Sequence, residues 1–223
     1  MVTSRSATGP DGNGDYSDLV ERVAQAVLGG VDMVQLREKD LAGRELLTLA
    51  DALLEAIDGR AMLLVNERAD VALAAGARGV QLGEEGLPVR AARKTLGNGG
   101  LIGRSVHTER SALQAEADGA DFLIVGTMFP SQSHPGETPS GPGLMGRISE
   151  NSRLPLIGIG GITPENAATV IEAGASGVAV ITNILAAPDP AAAAAELKQV
   201  LRQACRLGGG GAAGVGSRGN DRQ

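Results

Sequence analysis

The chain has 223 residues, of which 43% are hydrophobic and 21% charged, enough to build one packed core. No run of about 18 apolar residues is present to span a membrane, and the amino terminus lacks the basic-then-apolar order of a secretion signal. A single cysteine, Cys205, excludes an internal disulfide framework and a Cys-based zinc site and points to the cytoplasm, while a net charge of −6 without a basic block argues against nucleic acid as a partner.

Residues 1–17 are polar and turn-rich after the first two positions. Leu19, Val20, Val23 and Val27 have helical spacing, and Gly29 and Gly30 end that helix. The β-branched run at 31–37 reads as a strand. Leu46, Leu47, Ala50, Leu53, Leu54 and Ile57 then form an amphipathic helix stripe. A strand at 62–65 and a helix at 69–75 follow, with further strands expected at 80–82, 101–106, 122–125, 155–159 and 178–181. The last helix covers 190–207, with Asp189 as N-cap and Pro190 in its first turn. Residues 208–223 hold seven glycines and almost no core-forming side chain, so they read as a disordered tail behind a single domain at 1–207.

Strand centres recur about every 24 residues, and strands alternating with helices call for a parallel sheet buried on both faces. Seven strands are one short of an α/β (β/α)8 TIM barrel. Only Met1, Val2 and Thr3 can serve as the missing one, so the expected fold is a barrel with its first strand clipped at the amino terminus. The alternative is an open doubly wound sheet.

In such barrels ligands bind where strands end. Gly160 and Gly161 follow one strand, with Thr163 as N-cap and Pro164 at the first position of the helix behind them, and Ile181 and Thr182 open a short helix after the next strand. Together they suit a phosphate site, because glycines without Cβ expose backbone N–H groups to an anion, although two ordinary strand-to-helix turns look the same. Gln35, Arg37 and Lys39 share one face at another strand end and suit a diphosphate. The competing reading is a surface cluster neutralised by Glu38 and Asp40. Asn66 and Glu67, with Glu84 and Glu85 on the next strand end, have the placement of Mg2+ ligands, although solvated loop charges look the same. Ser105 and His107 end a further strand. Ser131, Ser133 and His134 lie in a Pro-rich loop at 127–142 whose length suits a lid, and His134 is placed to contact an anion or move a proton. No Ser/His/Asp triad or HExxH motif can be assembled.

Taken in order, VQLREKD, LLVNERADVALAAGARGVQLG, IGRSVHT, GADFLIVGTMFPSQSHPG, IGIGGITPENAATVIEAGASGVAV and ITNI resemble the thiamin phosphate synthase/TenI family over about residues 18–190. The resemblance implies a TIM barrel and an enzyme of vitamin B1 biosynthesis that binds a thiazole phosphate at the mouth of the barrel. Family members usually open with a strand resembling LYLVTDR, and residues 1–5 look like its second half, so the start is expected to lie a few residues late. The family holds two chemistries. The synthase ionises a pyrimidine methyl diphosphate with Mg2+ and traps the cation on the thiazole nitrogen. The TenI-type tautomerase moves a proton on a thiazole carboxylate phosphate and needs no cofactor.

Carried over from the resemblance, Gln35, Arg37, Lys39, Asn66, Ser105, Gly161, Ile181 and Thr182 fit the shared substrate site, and Ser131 and Ser133 stand in the diphosphate loop. The first metal-binding Asp is Glu67 here, the second is replaced by Gly86, and the diphosphate loop's Lys is His134. These departures favour a tautomerase with His134, His107 and Ser105 as catalytic candidates, although Thr127 stands where tautomerases can carry a histidine. The alternatives are a synthase in which Glu67, aided by Glu84 or Glu85, holds Mg2+, and a non-catalytic thiazole-phosphate binder. The expected partners are therefore small molecules, a thiazole phosphate and a pyrimidine diphosphate, and barrels of this kind also associate into homo-oligomers through their outer helices.

Overall fold

The apolar runs become parallel strands, and the amphipathic segments between them become helices that bury their stripes against the sheet. The computed structural model describes residues 1–7, 15–131 and 138–208. Strands β1 (Met33–Leu36), β2 (Met62–Asn66), β3 (Gly79–Leu82), β4 (Leu101–Val106), β5 (Phe122–Val125), β6 (Leu156–Ile159) and β7 (Gly177–Ala179) pair in chain order, each parallel to the next. Helices α1 (Ser17–Leu28), α2 (Gly43–Ile57), α3 (Ala69–Ala75), α4 (Val89–Leu96), α5 (Glu109–Ala117), α6 (Gly141–Asn151), α7 (Ala167–Glu172), α8 (Thr182–Leu185) and α9 (Pro190–Gly208) connect and follow them.

The period of two sorts each strand between two layers. Val34, Leu36, Leu63, Val65, Val80 and Leu82 pack into the main core under the helices, whereas Leu64, Phe122 and Ile124 form a smaller cluster inside the sheet's curve. The α2 stripe holds at Leu46, Ala50, Leu53 and Ile57, which are buried together with Leu49, whereas the expected Leu47 and Leu54 are only half-buried. Each buried leucine or isoleucine contributes roughly 1.5–3 kcal/mol relative to exposure.

The sheet curls towards a barrel without closing it by strand pairing. β1 and β7 are its edges, and the first three residues lie between them. Val2 N–H donates to Val180 O at 2.9 Å, Thr3 N–H to Gln35 O at 2.9 Å, and Gln35 N–H to Met1 O at 2.9 Å. The stub thus holds the seam at one level, and the reading of a TIM barrel with a clipped first strand stands.

Three local expectations change. The strand expected at 31–37 narrows to Met33–Leu36, because Arg37 N–H leaves the ladder for Thr3 Oγ1 at 2.9 Å. The strand expected at 178–181 ends at Ala179, since Val180 O serves the stub and Ile181 turns into α8. The helix expected to start at Thr163 starts at Ala167. The Asn166 carboxamide accepts from Thr163 N–H at 2.9 Å and donates to Gly161 O at 3.0 Å, which holds 161–166 as a turn. Asp189 caps α9 as expected, accepting from Ala192 N–H at 2.9 Å. Gly208 closes α9, and the tail expectation for 209–223 lies outside the described residues. No described helix is long and apolar enough to cross a membrane.

Candidate active site

Parallel strands end on one side, so the residues just past them converge there. A cavity of about 640 Å³ opens at that end. It brings together Gln35, Arg37 and Lys39 at and past the end of β1, Asn66 and Glu67 at the end of β2, Ser105 and His107 at the end of β4, Ser131 in the loop after β5, Gly160 and Gly161 after β6, and Ile181 and Thr182 after β7. Ser133 and His134 lie outside the described residues. The cavity also takes in Gly83, Glu84, Thr127 and Asn183.

Its floor is a layer of amides and hydroxyls. Gln35 Nε2 donates to Asn66 Oδ1 at 2.9 Å, and Gln81 Nε2 donates to Ser105 Oγ at 3.1 Å. Gln81 is nearly fully buried, and its Oε1 has no hydrogen-bond partner among the described residues. Sequence reading missed Gln81. The usable signal was a polar residue inside a four-residue strand that is otherwise apolar, where an unpaired side chain is costly.

The electrostatics decide the reading of Arg37 and Lys39. Glu38 and Asp40, the carboxylates expected to neutralise them, both pair with Arg5, at 3.2 and 2.5 Å. Thr3 Oγ1–H donates to Glu38 as well, at 2.8 Å. The bond from Arg5 holds the Asp40 carboxyl below its ordinary value. Arg37 and Lys39 are therefore left without an ion pair among the described residues and face the cavity, so the neutralised-cluster reading falls. Asn66 and Glu67 likewise belong to the cavity wall.

Glu84 is committed to His107, with Oε2 2.5 Å from Nδ1. Partial burial works against its ionisation, but hydrogen bonds from Ser111 and His107 and the His107 charge outweigh it and hold the carboxyl below its ordinary value. Glu84 is thus spoken for, and the expected help it would give Glu67 in holding a metal is not supported by the geometry.

Glu67 stands apart. Its φ of 61° is in the left-handed region that non-glycine residues seldom adopt, at a cost on the order of 1 kcal/mol. Glu67 Oε1 accepts from Gly83 N–H at 2.5 Å, and Oε2 accepts no hydrogen bond among the described residues. A Cβ at Gly83 would lie 2.8 Å from Oε1, and one at Gly86 would lie 2.6 Å from Oε1 and 2.7 Å from Cδ. The carboxylate rests in a cradle that only glycines leave open. Among the described residues no three His, Cys, Asp or Glu side chains cluster as a metal site. Magnesium, however, commonly takes one or two carboxylates and completes its shell with water and substrate phosphate. A single carboxylate, one oxygen of which accepts no hydrogen bond among the described residues, in a cavity that Arg37 and Lys39 also line, fits that donor set.

Gly160 (φ 101°) and Gly161 (φ 61°) turn tightly under the loop after β5. A Cβ at Gly161 would lie 2.8 Å from Phe129 O, and the turn is stitched by Phe129 N–H donating to Gly160 O at 3.0 Å. Glycine is required here for backbone conformation and close approach together. Thr182 and Asn183, at the start of α8, close the cavity on the same side.

A parallel α/β barrel with a polar cavity at the carboxyl ends of its strands belongs to the class of barrel enzymes. Residues 7–184 match the profile of the family described as thiamine monophosphate synthase. The chain is 46% identical over 188 residues to the thiamine-phosphate synthase of Moorella thermoacetica, covering 83% of this chain and 89% of that one. It is 44% identical over 184 residues to the thiamine-phosphate synthase of Chlorobium luteolum, covering 82% and 87%. A solved structure of thiamine phosphate pyrophosphorylase from Pyrococcus furiosus matches with a TM-score of 0.80 and 33% identity, covering 91% of this chain and 94% of that one. The chain belongs to the thiamine-phosphate synthase/TenI family of thiamine-biosynthesis enzymes.

Proposed function

We propose that the protein is a thiamin phosphate synthase rather than the tautomerase that the sequence departures favour. The observation that carries this reading is 46% identity, over 89% of its length, to a protein named thiamine-phosphate synthase. The un-neutralised Arg37 and Lys39 support it, because a departing diphosphate is the anion that two converging cations suit.

In this reading the bond between the pyrimidine methylene carbon and the diphosphate oxygen breaks, and its electron pair leaves with the diphosphate. The thiazole nitrogen then bonds to the carbon with its lone pair. Arg37 and Lys39 hold the diphosphate, the Gly160–Gly161 turn with Thr182 and Asn183 holds the thiazole phosphate, and Gln35, Asn66 and Ser105 orient the rings from the floor. Ser131 borders the diphosphate side. Glu67 is the residue that would hold Mg2+, which when bound neutralises charge on the leaving group.

A second reading has one observation in its favour. His107 lines the cavity with Nδ1 fixed by Glu84, which leaves Nε2 to carry a proton as a tautomerase requires. Incubation of the purified protein with the pyrimidine diphosphate, the thiazole phosphate and Mg2+ separates the two. Metal-dependent thiamin phosphate is expected. Folded protein that binds the thiazole phosphate and makes no product overturns the synthase, and proton exchange on the thiazole then distinguishes a tautomerase from a binder.

A further inference from the structure

We propose that Glu67 and Gly86 act as one unit, in which the missing side chain at 86 is the clearance that lets a single long carboxylate reach the metal position. The inference deepens the synthase reading and rests on it. Its ground is steric. The Glu67 carboxylate fills the volume a side chain at 86 would need, since a Cβ there would lie 2.7 Å from Glu67 Cδ. Gly86 has no left-handed φ, so its backbone accepts any residue, and Glu67 is the obstacle.

Other partners of the carboxylate are few. Oε1 is tied to Gly83 N–H at 2.5 Å. Arg68, the adjacent cation, is turned away to Asp70 at 2.6 Å. Glu84 is paired with His107. One carboxylate supplies at most two of the six oxygens an octahedral Mg2+ takes. The remaining ligands must come from water and from the diphosphate held by Arg37 and Lys39. Metal and diphosphate therefore bind as a pair, each weak without the other, and the pair depends on where the Glu67 carboxylate sits.

Calorimetric titration of inorganic pyrophosphate into the protein, with and without Mn2+ as the probe cation, reads this directly and needs no turnover. Mn2+ is expected to tighten pyrophosphate binding about tenfold or more in the native chain, the size of effect that misplacing a metal-site group commonly removes. Gly86→Ala should lose that gain by expelling the Glu67 carboxylate. Glu67→Asp should lose it too, by withdrawing the carboxylate, and this variant places no new atom in the cradle that could disturb folding. The double variant Glu67→Asp/Gly86→Asp should recover most of the gain, because a shorter acid at 67 makes room for a second one at 86. A Gly86→Ala protein that keeps the full Mn2+ gain, single losses that simply add in the double variant, or no Mn2+ gain in the native chain would each overturn the proposal. Thiamin phosphate formation, assayed on the same native preparation, keeps the two claims separate. Product together with an unaltered gain in Gly86→Ala overturns only this inference, and the full coupling without product overturns only the synthase reading.

Discussion

The two ends of the barrel are built from the same seven strands and do opposite things. At the carboxyl end the strands finish in Arg37, Glu67, His107 and the Gly160–Gly161 turn around a polar cavity. At the amino end they begin with Met33, Met62, Phe122 and Gly177, which line a mostly apolar cavity of about 540 Å³. Val2, Gln35, Ile124, Ala179 and Val180 border both and form the layer between them. The Met1 ammonium sits at the apolar end, donating to Met33 O at 2.7 Å, and burial pushes its pKa down to about 5. The difference shows that the barrel separates its tasks along the strand axis. One end supplies apolar burial, and the other gathers charges that folding alone would not favour.

If that division is real, damage at each end should register in a different measurement. The largest effect is expected from Phe122→Ala, which deletes the largest side chain of the inner cluster. It should lower stability by about 3 kcal/mol in urea unfolding and leave affinity for the thiazole phosphate unchanged. An equal loss of affinity would mean that the two ends form one cooperative unit. Arg37→Ala is the converse. It should weaken binding of inorganic pyrophosphate by about 2 kcal/mol, roughly 30-fold, with little change in the unfolding midpoint. A large stability loss instead would return Arg37 to a structural role.

The smallest effect concerns the rim. The folded-state pKa of Glu84 lies below its ordinary 4.5. Its stabilising contribution is therefore present above that value and is lost as pH falls through the folded-state one. Glu84→Gln should cost less than about 1 kcal/mol at neutral pH, since the pair with His107 is partly exposed. That deficit should shrink once both proteins are measured well below pH 4.5. The same deficit at both pH values would show that the glutamine loses packing rather than charge.

Much of this was legible locally. The α2 stripe, the strands at 101–106 and 122–125, the helix at 69–75 and the Asp189 cap follow from apolar period and capping chemistry, which act over a few residues. The candidate site was legible for a related reason. Polar residues at or just past the carboxyl ends of buried strands have to gather at one end of a parallel sheet, so Gln35, Arg37, Asn66, Ser105 and Gly161 could be nominated before their positions were known. Element ends were less legible. The strand expected at 31–37 lost Arg37 to Thr3, a partner 34 positions away. The helix expected from Thr163 was displaced by the Asn166 side chain.

The sequence by itself thus determined the alternation of strands and helices, the parallel sheet and the set of polar residues at its carboxyl end, because period, turn chemistry and chain order are properties of neighbouring residues. Only the tertiary structure decided which charges are satisfied. Arg5 takes Glu38 and Asp40 and leaves Arg37 and Lys39 to the cavity, His107 takes Glu84, and Glu67 lies over Gly86. Each is a contact between residues from 19 to 35 positions apart along the chain. Whether a charged side chain is neutralised or free depends on what the curled sheet brings within about 4 Å of it, and no local pattern encodes that distance.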